Sequence, residues 1–187
     1  MQERHGEGVS VVPRRILVYG VTGSGKTTLA RRIGAVTALP WHSMDDEVGW
    51  LPNWVERPRD QQRDLVSGIV SSEEWVLDTA YGHWRDVVLE RAELIVALDY
   101  RRSVSLIRLL RRTAKRAVTR EEACNGNIES LRQIFSSQSI IVWHFRSFAK
   151  KRDRIAAWLI DPSAPPVLRM RSARETEAWI ASLGESS

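Results

Sequence analysis

The stretch YGVTGSGKTT, residues 19–28, decides how this chain folds. Gly20, Gly25, Lys26 and Thr27 stand at the spacing G-x-x-x-x-G-K-[ST] of a phosphate-binding loop. Each residue type has a physical reason there. Glycines let the main chain curl until the N–H groups around Thr22, Gly23, Ser24 and Gly25 point into one concavity, at the positive end of the following helix. Lys26 adds a point charge for the β- and γ-phosphates, and the Thr27 hydroxyl is a magnesium ligand. Thr28 belongs to the same nucleotide-binding set. The expected cofactors are therefore ATP and Mg2+.

The flanks of the loop have the pattern it requires. Upstream, ILVYG (16–20) is a short β-rich apolar run cut off by a glycine. Downstream, Leu29, Ile33 and Val36 recur at helical spacing. A second extended piece, ALPW (38–41), leads into the acidic SMDDEVGW (43–50), and a loop with Pro52 and Pro58 introduces a helix expected to turn Leu65, Val66 and Ile69 inward. EWVLD (74–78) and ELIVALD (93–99) read as strands three and four. Both are apolar and closed by an aspartate, as in a parallel sheet buried on both faces with functional groups at its carboxyl edge. Residues 103–118 predict a helix with Val104, Ile107, Leu110, Ala114 and Ala117 inward and Arg108, Arg112 and Arg116 on another face. After the polar TREEACNGNIES (119–130) a further helix is expected over about 131–154. PPVLRMRS (165–172) is the fifth strand and ARETEAWIASL (173–183) the closing helix. Strands alternating with helices predict a doubly wound α/β domain.

Composition narrows the class. The 187 residues are 43% hydrophobic, enough for one domain with a sizeable core. No run approaches the ~18 apolar residues of a membrane span, and the first ten residues lack the apolar centre of a secretory signal, so the expected location is the cytoplasm. Cys124 is the single cysteine, which excludes an internal disulfide or a cysteine-rich zinc site. The net charge of +5 favours an anionic partner, either nucleic acid or a phosphorylated small molecule.

Taken together, these residues resemble the small P-loop kinases of the adenylate kinase and shikimate kinase type. Within that group the chain is most similar to the bacterial proteins labelled DNA topology modulation protein or adenylate kinase-related kinase. The resemblance runs over nearly the whole chain. It rests on GVTGSGKTTLARRI (20–33), DDEVGW (45–50) with WVERP (54–58), EWVLDTAYGHWRD (74–86), RAELIVALDY (91–100), RLLRRTAKR (108–116) with TREEACNGNIESLR (119–132), and VLRMRSARETEAWI (167–180). It implies a three-layer P-loop fold, with a five-stranded parallel sheet of order 2-3-1-4-5 and a helical lid after strand four, over about 108–135. Residues 1–13 are expected to be a loose leader, 14–183 the domain and 184–187 a tail. The family's Asp-Gly-Asn-Tyr is replaced here by Asp78, Thr79, Ala80 and Tyr81, which keeps the carboxylate and alters the approach of an acceptor.

The expected roles are these. Lys26 and the lid arginines Arg112 and Arg116 stabilise the phosphoryl group in transit, and Arg108 binds the nucleotide. Asp46 and Asp78 hold metal-bound water or the acceptor, with Thr27 on the metal. Trp50, Trp54 and Trp84 wall an acceptor pocket beside the acidic loop, and Arg85 meets an anionic acceptor. Trp75, Trp158 and Trp179 are core, Asp99 is structural, and His42, His83 and His144 lack metal-ligand spacing. Two functions compete. One is transfer of the γ-phosphoryl of ATP to a small acceptor, a nucleoside monophosphate by resemblance. The other is a nucleotide-binding regulatory ATPase that contacts DNA through its basic lid.

Overall fold

Strand β1 (Arg15–Gly20) is buried from Ile16 onward, and alternation sends its side chains into two cores. Ile16 and Val18 pack with Leu29, Ile33 and Ile180. Leu17 and Tyr19 pack with Met44, Trp84 and Trp158 on the opposite face. Helices cover both faces, which is what a central parallel strand requires. The computed structural model of the chain describes residues 13–119, 124–127 and 140–185.

After β1 come α1 (Lys26–Thr37), β2 (Trp41–His42), a π-helical turn (Asp45–Gly49), β3 (Trp50–Leu51), a 3-10 turn (Pro52–Trp54) and β4 (Val55–Glu56). Then follow α2 (Arg59–Val70), β5 (Trp75–Leu77), α3 (Arg85–Arg91), β6 (Leu94–Leu98) and α4 (Arg102–Thr119). The helix α5 (Ile140–Ile160), β7 (Val167–Met170) and α6 (Ala173–Glu185) complete the described chain. The sheet is parallel, in the order β2-β5-β1-β6-β7. Counting only its five strands, that is 2-3-1-4-5. The higher numbers arise because β3 and β4 form a separate antiparallel hairpin, with Trp50 opposite Glu56. Sequence patterning passes over that hairpin because each strand is two residues long and its turn uses left-handed Asn53 and Trp54 (φ 63° and 57°) rather than glycine.

Two helices are rotated from their expected faces. In α4 the buried positions are Ser105, Leu109 and Thr113, while Val104, Ile107 and Leu110 are exposed. The inner face is set by what it meets: a Cβ on Gly23 would lie 2.4 Å from the Ser105 carbonyl oxygen and 2.9 Å from Leu109 Cβ. Close packing of loop and helix admits the serine stripe and leaves the more hydrophobic one outside. In α2, Val66 and Val70 are buried with Gln62, and Leu65 faces out. The Gln62 side chain satisfies its buried amide by donating to the Arg57 carbonyl at 2.7 Å and accepting from Trp84 Nε1 at 3.2 Å.

Asp99 has the structural role expected of it, through ion pairs. Nearly buried at the end of β6, it pairs with Arg169 of β7 and with Arg152 of α5 at 2.9 Å. Of the expected lid, α4 and residues 124–127 are described. Arg120, Glu129 and the helix start at 131–139 lie outside the described residues. Among the described residues, no helix is long and apolar enough to cross a membrane.

Candidate active site

The loop between β1 and α1 curls as its glycines predict. Gly23 (φ 82°) and Gly25 (φ 97°) are both left-handed, a conformation that L side chains rarely adopt. Gly25 caps α1 without a side-chain bond, and the first turn of the helix carries no acidic residue. The helix N-terminus therefore offers N–H groups and a positive dipole end with no built-in anion to occupy them. The outer side of the loop is held by its neighbours. Arg108 donates to the Ser24 carbonyl at 3.1 Å, His144 Nδ1 donates to the Thr22 carbonyl at 3.0 Å, and Ser24 Oγ donates to Val21 at 2.8 Å. Burial lowers the His144 pKa, which favours the neutral imidazole that this single donation needs.

Lys26 donates to the Val21 carbonyl at 3.2 Å. Burial pushes its ammonium below the usual lysine range, Asp45 and Asp78 pull it back, and Arg112 opposes them. Thr27 Oγ1 donates to Asp78 Oδ2 at 2.6 Å, and the other oxygen of Asp78 accepts from the Met44 N–H at 3.0 Å. Burial raises the Asp78 pKa, against the effect of these two bonds. A hydroxyl and a carboxylate side by side are hard oxygen donors and fit magnesium. Among the described residues no group of three or more His, Cys, Asp or Glu could hold a metal by itself. Thr27 and Asp78 would thus hold magnesium together with nucleotide phosphates, the usual habit of that ion.

The carboxylate of the π-helical turn within electrostatic range of the loop lysine is Asp45, where the expectation was Asp46. Asp45 accepts from the Tyr81 hydroxyl and acts electrostatically on Lys26. Burial first, and then Asp45, raise the Tyr81 pKa and keep the phenol a donor. Asp46 is engaged elsewhere. Its side chain accepts from Ser43 Oγ and from the Asn125 N–H at 3.1 Å. Asp45 and Asp46 are neighbours on one π-helical turn, and their side chains find different partners.

The turn at 124–127 is docked on the acceptor-side hairpin. Asn125 Nδ2 donates to the carbonyls of Asp46 and Trp50. Asn127, only 3% exposed, donates to the Leu51 carbonyl at 3.0 Å and accepts from the Trp54 N–H at 2.7 Å. Cys124 beside it is half-buried and pushed up to about 11 by desolvation, so it is no nucleophile.

The remaining candidates divide. Arg108 of α4 donates to the loop, and Arg112 lies within electrostatic range of Lys26. Arg116 is half-buried near Cys124, beside the docked turn rather than the loop. Trp50 packs edge-on against Trp54 at 5.8 Å on the hairpin. Trp84 is fully buried and is core, not pocket wall. The Arg85 guanidinium lies over the Trp158 ring at 6.0 Å and acts electrostatically on Tyr19. Sequence reasoning missed Asp45 as the carboxylate near Lys26, His144 behind the loop, and Lys151. The Lys151 ammonium sits 4.1 Å from the centroid of the Tyr19 ring, with Lys26, Arg85 and Asp45 as its charged neighbours. No motif announces it, because it reaches the site from a helix far along the chain.

No protein-family model matches the chain. Among solved structures it is similar to shikimate kinase from Acinetobacter baumannii in complex with shikimate, with a TM-score of 0.58 and 16% identity over 91% of this chain and 90% of that one. Shikimate kinase from Bacteroides thetaiotaomicron gives 0.56 and 17%, over 93% and 98%. Deoxyadenosine kinase from M. mycoides gives 0.56 and 10%, over 91% and 96%. The chain has the P-loop kinase fold. In sequence it is 36% identical over 86 residues, 43% of its length, to the ATP-dependent protease ATPase subunit HslU of Rickettsia rickettsii, and it spans 18% of the length of that relative.

Proposed function

We propose that the protein is a magnesium-dependent phosphotransferase that moves the γ-phosphoryl group of ATP to a small acceptor. One arrangement carries the reading: Asp45, borne by a separate element and held by Tyr81, lies within electrostatic range of the loop lysine, Lys26. A phosphate loop alone serves hydrolysis as well as transfer. A second half-site across the gap, with Asp45 as a hydroxyl-orienting base and Arg85 as an anion contact, serves transfer. The loop amides and Lys26 hold the triphosphate, Arg108 and Arg112 flank it, and bound magnesium would neutralise charge beside Thr27 and Asp78. Asp46 is assigned to docking the 124–127 turn instead.

A nucleoside monophosphate is the first acceptor, by resemblance to the DNA topology modulation and adenylate kinase-related proteins. Thr79 and Ala80 are both buried, so their replacement of Gly and Asn reshapes the wall and not the rim. The test is a panel of nucleotides and small hydroxyl compounds incubated with magnesium and ATP, with Lys26→Ala as control. Lys26→Ala is expected to lose more than about a hundredfold in turnover while remaining folded. If no compound in the panel is phosphorylated, transfer is rejected. Arg108 is engaged with the Ser24 carbonyl, which favours transfer over DNA contact through α4. DNA retention that falls steeply with salt would reverse that preference.

A further inference from the structure

We infer that Lys151, reaching in from α5, is a further phosphoryl-contacting residue of the transfer site. It would grip the group handed over by Lys26 on the side that faces the acceptor.

Three observations place it there. The ammonium lies 4.1 Å from the Tyr19 ring centroid, and Tyr19 is the residue immediately before Gly20, at the base of the phosphate loop. Its charged neighbours come from each side of the gap: Lys26 on α1, Arg85 on α3 and Asp45 on the π-helical turn. Arg154, on its own helix, and Arg85 both act on Tyr19. Among the described residues, no carboxylate pairs with Lys151 in an ion pair. The Lys151 amine is partly buried and has Lys26 and Arg85 as cationic neighbours against the one carboxylate of Asp45, so its charged form is disfavoured until a further anion joins them. A ring face offsets only part of that cost, on the order of 1–2 kcal/mol. The missing partner is a multivalent anion between Lys26 and Arg85, the place a phosphoryl group occupies as it passes. Burial, with Lys26 and Arg85, lowers Lys151 to about 7. An entering anion therefore draws a proton onto it, which an arginine in the same place would not show.

The inference rests on the transfer reading. In that step the acceptor oxygen forms a bond to the γ-phosphorus as the bond from that phosphorus to the β–γ bridging oxygen breaks. ADP leaves with the electron pair, and the acceptor proton passes to Asp45 and on to solvent. Lys151 bonds the equatorial oxygens throughout and is neither consumed nor displaced.

The experiment is calorimetric titration of the full chain with magnesium and the non-hydrolysable analogue AMP-PNP, near pH 7.5, in two buffers of different ionisation enthalpy. The unmodified protein is expected to take up protons on binding. Lys151→Arg is expected to bind within about threefold and lose most of that uptake, and Lys151→Met to lose about tenfold or more in affinity with an unfolding midpoint no lower than that of the unmodified protein. Equal proton uptake in Lys151→Arg, or unchanged affinity in Lys151→Met, overturns the inference and leaves the transfer reading intact. Failure of the unmodified protein to bind AMP-PNP rejects both.

Discussion

The Thr27 hydroxyl donates to the Asp78 carboxylate at 2.6 Å, which joins the first turn of α1 to the end of β5. The bond ties the phosphate loop to the strand next to its own and places side by side the two oxygens proposed to hold magnesium. Asp78 is 3% exposed, and burial raises its pKa against the bonds from Thr27 and Met44.

Asp78→Asn is therefore expected to weaken binding of magnesium with ATP while raising the midpoint of thermal unfolding. The amide keeps partners in Thr27 and Met44 without the desolvation cost of a charge. The sign follows from the raised pKa. The unmodified protein loses stability as pH rises through the interval between the unfolded and folded values of Asp78, so the advantage of the amide is full at neutral pH and closes on acidification. A gain of about 1 kcal/mol moves the midpoint by about 2–4 °C in a chain of this size. Scanning calorimetry at neutral and acid pH, beside a binding titration, checks both halves.

Two glycines with similar backbone angles are expected to differ when changed to alanine. Gly23→Ala puts a methyl 2.4 Å from the Ser105 carbonyl at φ 82°, so strain and collision add, and a loss of more than about 2 kcal/mol is expected. Gly126→Ala has φ 72° and nothing within 4 Å, so only the left-handed penalty of about 1–2 kcal/mol remains. Denaturant unfolding of both variants separates the two terms.

Asn127→Ala removes the acceptor for the Trp54 N–H and the donor to the Leu51 carbonyl. Each orphaned group costs about 1–3 kcal/mol if it stays buried, and the cheaper route is to release the turn. Faster hydrogen exchange at Trp54 and Leu51, with unchanged exchange in β1, is the expected signature. Uniform exchange across both segments would show that the turn is not docked in solution.

Trp50 and Trp84 are expected to behave oppositely when replaced. Trp84→Phe removes buried contacts and the Gln62 bond and should lower stability by a few kcal/mol. Trp50→Phe lies on a half-exposed hairpin, so its effect on stability should be under about 1 kcal/mol, and its consequence, if it lines the acceptor site, is in KM. Chemical denaturation and acceptor kinetics distinguish them.

The sheet and the phosphate loop were legible because both write themselves in local sequence: apolar runs closed by glycine or aspartate, and a motif whose spacing is its geometry. The hairpin was not, since two-residue strands have no period to detect. The face of α4 was misjudged for a related reason. Hydrophobicity selects Val104, Ile107 and Leu110, but close contact with Gly23 demands Ser105 and Leu109. Asp45 and Asp46 are indistinguishable by composition, and only their partners in the fold separate their roles. Lys151 is separated from Lys26 by more than a hundred positions, so their meeting belongs to tertiary structure alone.

The bonds from Arg108 and His144 to the outward carbonyls of Ser24 and Thr22 have an entropic meaning. With those oxygens already tethered, the amides on the other side are turned toward the phosphate position before any nucleotide arrives, and little conformational freedom is left to surrender on association. Nucleotide capture should accordingly be fast and lightly dependent on temperature, and loosening either tether should slow arrival more than it hastens departure.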